Sequence, residues 1–188
     1  MNDRQWTGVV LAGGQSSRMG QDKALIEVDG ITLLDRAIEL LRPHAKEVLV
    51  IGDPGKYTPE HATVLPDDSP GKGPLGGLVT ALKHARYVRI LVLACDLPNI
   101  NDRLLIHLKN ELIGDVDAVV PRHDGFIEPL AAAYHRHAID LFERNIAADR
   151  LKMSDALGRV HTRYFELVPG EEGWPKDLFK NVNAPTDL

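Results

Sequence analysis

Apolar residues recur along the chain in two spacings. Short continuous runs at Gly8–Ala12, Glu47–Ile51, Arg89–Ala94 and Asp117–Pro121 read as strands buried on both faces, the pattern of a parallel sheet. Val64-Leu65 adds a shorter strand, Ile127–Tyr134 another, and Val160–Leu167 a late one. Between them, Leu33–Leu41, Leu78–Arg86, Arg103–Leu112, Ala138–Ala148 and Met153–Leu157 read as helices. Thr32 with Asp35 forms a capping pair before the first helix, Pro43 ends it, and Asn101 is placed to cap the third. Leu25–Val28 is an apolar run closed by Asp29-Gly30, and Arg122–Gly125 reads as a turn. Strands alternating with helices predict the α/β class: a single three-layer α/β/α domain, 1–188, around a mostly parallel, Rossmann-like sheet.

Composition agrees with this picture. The 188 residues are enough for one domain with a sizeable core, and no repeat or linker divides them. The formal net charge of −5 excludes sequence-independent binding to nucleic-acid backbone, though it leaves room for a local basic pocket. Cys95 is the sole cysteine, so an internal disulfide and a Cys-rich zinc site are both excluded; it reads as a small buried apolar residue. No apolar run approaches membrane-spanning length, and the N-terminal MNDRQWTG lacks a signal-peptide core, so the cytoplasm is the expected location. His135 and His137 are too close in sequence to chelate a metal on a helix.

The candidate chemistry concentrates in Val9–Lys23. A buried strand runs into Gly13-Gly14, followed by Ser16, Ser17, Arg18, Gly20 and Lys23. Glycines let backbone N–H groups approach an anion, and Arg18 and Lys23 supply full positive charge, so this loop suits a nucleoside triphosphate. It is not a Walker A loop, because Gly20 precedes Gln21, and adjacent Gly13 and Gly14 break the dinucleotide fingerprint. Gly71, Gly73 and Gly76 do match G-x-G-x-x-G, but Pro74 interrupts it and no long strand precedes it. That stretch is expected to be a second loop facing phosphate or base. Asp67 and Asp68 beside it either face a ligand or sit in a solvated turn. Arg150 and Lys152 likewise either meet an anionic substrate or end a helix in solvent. Asp96 follows the Arg89–Ala94 strand, where open α/β sheets place ligand-facing groups, and is the best candidate carboxylate for Mg²⁺.

These residues resemble a known family. LAGGQSSRMGQDK is similar to the L-A-G-G-x-S-x-R-M-G-x-D-K signature of the molybdenum-cofactor guanylyltransferases, within the nucleotidyltransferase superfamily. The likeness continues through G-P-L-x-G at Gly73–Gly77, C-D-x-P at Cys95–Pro98, E-P-L-x-A-x-Y at Glu128–Tyr134, and N-x-N at Asn181 and Asn183. Ala184 stands where the family usually has Thr. The resemblance implies transfer of GMP from GTP to the terminal phosphate of the molybdopterin cofactor, giving the guanine dinucleotide and pyrophosphate. It implies Leu11, Ala12, Gly13, Gly14, Lys23, Asp68 and Asp96 on the nucleotide, with Arg18, Lys23 and Asp96 as catalytic groups. It further implies Mg²⁺, or Mn²⁺ in its place, on Asp96 and Asn183. Glu128, Pro129, Asn181 and Asn183 would meet the acceptor, so the N-terminal part is the GTP side and about 115–188 the acceptor side. The implied partners are GTP, molybdopterin, and transient contacts with cofactor-delivering proteins or molybdoenzymes. Three alternatives stay open: a cytidylyltransferase, whose relatives carry Ala in place of Gly14; a small sugar-phosphate nucleotidylyltransferase; and a non-catalytic nucleotide-binding protein.

Overall fold

The apolar run around Val9 and Val10 forms an interior strand of the sheet, paired on both edges. A computed structural model describes residues 5–12 and 22–182. In chain order it contains β1 (Trp6–Leu11), a 3-10 turn at Lys23–Leu25, β2 (Glu27–Val28), β3 (Ile31–Thr32), α1 (Leu33–Leu41), β4 (Glu47–Ile51) and β5 (Thr63–Leu65). Next come α2 (Gly73–His84), β6 (Arg89–Ala94), α3 (Asp102–Glu111), β7 (Ala118–His123), β8 (Phe126–Ile127) and β9 (Ala131–His135). The last are α4 (Ile139–Ala147), α5 (Met153–Leu157) and β10 (Thr162–Glu166). The main sheet runs β10-β7-β9-β6-β1-β4-β5, with β8 beside β7, and β2 and β3 form a separate hairpin.

β1 pairs parallel with both β4 and β6, β5 is parallel to β4, and β10 to β7. β9 is the reversed strand, antiparallel to β6 and β7. Strand side chains alternate between the two faces. Val10, Val50, Leu91 and Leu93 pack on one face with Leu34, Ile38 and Leu41 of α1 and Leu104, Leu105 and Leu108 of α3. Val9, Leu49, Ile90 and Val92 pack on the other with α2, Phe142 of α4, and Ala156 and Leu157 of α5. The three-layer α/β/α expectation therefore holds, with a mostly parallel sheet.

Local chemistry sets the element ends. Thr32 Oγ1 accepts from the Asp35 amide at 3.0 Å and donates to the Asp35 carboxylate at 2.7 Å. Asn101 Oδ1 accepts from the Leu104 amide at 3.1 Å. Arg136 closes the other end of α2, donating to the carbonyls of Leu82, Ala85 and Tyr87.

Three element assignments change. Helix α2 begins at Gly73 rather than Leu78, because Pro74 lies in its first turn, where a missing N–H leaves no helical bond unmade. Pro74 opens the helix instead of interrupting a loop. Ile127–Tyr134 is two short strands, broken at Glu128–Leu130, where the Ala131 amide turns back to the Glu128 carbonyl at 3.1 Å. Arg122 and His123 belong to β7, and the turn narrows to Asp124-Gly125, with φ of 48° and 79°. Both central residues are left-handed, the geometry that matches the twist of a tight hairpin.

Phe142 is fully buried, its ring edge-on to Tyr134 with centroids 6.1 Å apart. Phe142→Ala should therefore cost about 3–5 kcal/mol of stability. Urea unfolding with an unchanged m-value and a lowered midpoint is the expected result.

Candidate active site

Parallel pairing brings the predicted groups to one edge. Leu11 at the end of β1 lies in register with Ala94 at the end of β6 and with Ile51 at the end of β4. The loops leaving these three strands therefore emerge side by side, as ligand-facing loops do in open α/β sheets. Lys23 returns to this edge on the 3-10 turn, and its Nζ stands 3.7 Å from Asp96 Oδ2. Both side chains keep about a quarter to a third of their surface open, 31% for Lys23 and 25% for Asp96. The two most chemically pointed candidates are thus neighbours that a solute can reach.

A cleft of about 810 Å³ opens at the ends of β1 and β4, where Leu11 and Ile51 line it. That volume suits a nucleotide-sized ligand. Leu11, Gly52, Asp53, Asp67, Gly73 and Gly77 are among the residues that line it. Asp67 Oδ1 is fixed by the Ser69 amide and the Thr80 hydroxyl, each at 2.9 Å. Thr80 is fully buried, and its oxygen also accepts from the Asp68 amide at 3.0 Å. The Asp68 carboxylate is paired instead with His84 Nε2 at 2.9 Å and does not line the cleft. Of the two adjacent carboxylates, Asp67 lines the cleft and Asp68 is turned to His84. Adjacent residues of one turn cannot be told apart by composition.

The residues expected to meet the acceptor lie outside the strands, Glu128 and Pro129 in the break between β8 and β9 and Asn181 in the segment after β10. The Ala94 amide donates to the Leu130 carbonyl at 2.7 Å, which ties the break before β9 to the end of β6. Glu128 Oε1 is 2.8 Å from His123 Nε2, and the His123 ring stacks on Phe179 with centroids 4.5 Å apart. The Pro129 carbonyl accepts from the Tyr134 hydroxyl at 2.7 Å. Asn181 is exposed next to Val182, whose amide donates to the Asp96 carbonyl at 2.9 Å. The 178–182 segment is thereby held between Asp96 and the His123–Glu128 pair. Gly13, Gly14, Arg18 and Asn183 lie outside the described residues. Sequence reasoning missed His123 and Phe179, which contact Glu128 or its partner only through the tertiary fold.

Residues 8–162 match the family model described as the MobA-like NTP transferase domain. The chain belongs to this family. Members of the MobA-like family are nucleotidyltransferases, and so is this enzyme. The chain is 34% identical over 183 residues to a probable molybdenum cofactor guanylyltransferase of Carboxydothermus hydrogenoformans, covering 96% of this chain and 92% of the relative. A Bacillus subtilis relative with the same description is 35% identical over 186 residues, covering 96% and 91%. Among solved structures, molybdopterin-guanine dinucleotide biosynthesis protein A from Archaeoglobus fulgidus superposes with a TM-score of 0.78 at 29% identity, covering 96% of this chain and 94% of that one. The 2-C-methyl-D-erythritol 4-phosphate cytidylyltransferase of Thermus thermophilus, at 22% identity and a TM-score of 0.65, shares the fold. No helix among the described residues is long and apolar enough to cross a membrane.

Cys95, next to Asp96, is 8% exposed, and burial pushes its thiol up to about 12, with the Asp96 carboxylate adding to the effect. A thiol held neutral at pH 8 is a poor nucleophile. Iodoacetamide at pH 8 should therefore label native protein at least ~100-fold more slowly than urea-unfolded protein. The raised value also sets a sign for stability. The unfolded thiol ionises first, so its contribution is complete below about pH 9 and is lost as pH climbs towards about 12.

Proposed function

We propose that the protein transfers the guanylyl group of GTP to the terminal phosphate of a molybdopterin cofactor, releasing pyrophosphate. The observation that carries this reading is the Lys23–Asp96 pair, 3.7 Å apart at the sheet edge where β1, β4 and β6 end, the edge whose Leu11 and Ile51 line a nucleotide-sized cleft. Displacement at phosphorus needs alignment and charge neutralisation rather than a covalent nucleophile. The site has that character, since its one thiol is buried and held neutral. The acceptor phosphate oxygen forms a bond to the α-phosphorus as the bond to the β-phosphate oxygen breaks, and the electron pair leaves with pyrophosphate. Lys23 lies where it can follow the negative charge growing on the leaving group. Asp67, Asp53 and the walls of the cleft would hold the nucleoside. Glu128, Pro129 and Asn181 would hold the acceptor.

A divalent cation fits the donor set. Among the described residues no three His, Cys, Asp or Glu side chains gather into a cage. Asp96 is a single accessible carboxylate, which suits Mg²⁺, an ion that keeps waters and takes further oxygens from substrate phosphates. Mn²⁺ would be accepted by the same oxygens. A cation bound there would neutralise phosphate charge.

Pyrophosphate release measured with GTP, CTP, ATP and UTP in the presence of the pterin acceptor tests the reading. Release with GTP alone is expected, and a preference for CTP would replace guanylyl by cytidylyl transfer. Asp96→Asn should lower kcat by roughly 10²–10³-fold while the circular dichroism spectrum stays that of the parent. Full activity of that variant at saturating Mg²⁺ would remove Asp96 from the site. Lys23→Ala should lower kcat more than it raises KM for GTP, the signature of an interaction made mainly in the transition state.

A further inference from the structure

Tyr57 lies outside every helix and strand, in the stretch between β4 and β5, yet it is only 5% exposed. Its ring fills the space above Gly52. A Cβ at position 52 would fall 2.7 Å from Tyr57 Cε2, so a residue without one is needed for this approach. The hydroxyl is thereby delivered to two acceptors, the Ala12 carbonyl at 3.0 Å and Asp22 Oδ2 at 2.8 Å. Ala12 directly follows β1, and Asp22 directly precedes the 3-10 turn. The other Asp22 oxygen accepts from the Ala24 amide at 3.2 Å and so caps that turn. Lys23 is the first residue of the turn, with Nζ 3.7 Å from Asp96 Oδ2. A continuous series of contacts thus runs from Tyr57 through Asp22 to Lys23 and Asp96.

We propose that Tyr57 is a positioning residue for nucleotidyl transfer, its hydroxyl anchoring Asp22 to the end of β1 and so setting Lys23 opposite Asp96. The inference rests on the proposed roles of Lys23 and Asp96 in that transfer. Three features support it. The hydroxyl gives its proton to partners that include a carboxylate, and charge-assisted bonds are short and strong. Burial, reinforced by the bond to Asp22, raises the phenol far above its ordinary value, so it stays a donor throughout the working pH range. Among the described residues, Lys56 Nζ also approaches Asp22 Oδ2, at 3.8 Å on a side chain 59% exposed, which is a weak and adjustable restraint.

Tyr57→Phe keeps the ring on Gly52 and deletes one donor. A small displacement of a group that acts in the transition state reduces turnover far more than binding, so kcat should fall about 10–100-fold with KM for GTP changed by less than about twofold. Asp22→Asn keeps a side chain that can still cap the turn but removes the charge, and should move kcat in the same direction. The double variant should be no slower than the slower single one, because both break the same series of contacts. In a Lys23→Ala background, Tyr57→Phe should change kcat by less than about twofold. Should Tyr57→Phe fail to fold, the Asp22→Asn kinetics decide alone. Parent kinetics in Tyr57→Phe, or in Asp22→Asn, with Lys23→Ala slowed would overturn this inference and leave the site reading standing. Full activity in Lys23→Ala would overturn both.

Discussion

Parallel pairing of β1 with β6, in register from Trp6 with Arg89 to Leu11 with Ala94, is the constraint on which the rest depends. Adjacent strands are separated by about 5 Å, so two strands that end at the same level deliver their next residues to one place. That register sets Ala12 beside Cys95-Asp96, and the 3-10 turn anchored to Ala12 through Tyr57 and Asp22 then brings Lys23 to 3.7 Å from Asp96, 73 positions away in the chain. A one-residue slip between these strands would turn Val9 and Val10 to the wrong faces. Each of those residues is completely buried, on opposite sides of the sheet. The two cores therefore enforce the register that the chemistry needs.

The site is held by polar contacts that join separate strands, helices and loops. Thr80, inside α2, fixes Asp67; His123 on β7 fixes Glu128; the Asp96 carbonyl holds the Val182 amide. Each of these comes from an element whose own position is set by apolar packing. The cores place the backbone, and a few hydrogen bonds aim the side chains.

Much of this architecture is legible in the sequence. The central strands can be read from unbroken apolar runs, and the starts of α1 and α3 from Thr32 and Asn101, because these signals are local. Lys23 and Asp96 are legible because charge after a buried strand is a positional signal. The break at Glu128–Leu130 is not, nor is the antiparallel direction of β9, since a run of apolar residues with one proline carries no mark of either. The start of α2 is hidden because Pro74 has opposite meanings at the beginning and in the middle of a helix. The choice of Asp67 over Asp68 depends on which carboxylate reaches Thr80, a contact made across 13 residues. Tyr57 gives no signal, as one aromatic in a polar loop is defined only by what it touches.

The reversal of β9 reaches beyond geometry. Parallel strands present the loops at their C-terminal ends to the ligand edge, whereas an antiparallel strand presents the loop that precedes it. Glu128–Leu130 therefore stands at the sheet edge where β6 ends although it lies upstream of its strand, joined to β7 through the tight Asp124-Gly125 hairpin. Insertions or exchanges between Asp124 and Leu130 would reshape that part of the edge and leave the β1–β4 and β1–β6 pairings untouched. A lineage could in this way diversify the second substrate while inheriting its nucleotide pocket unchanged.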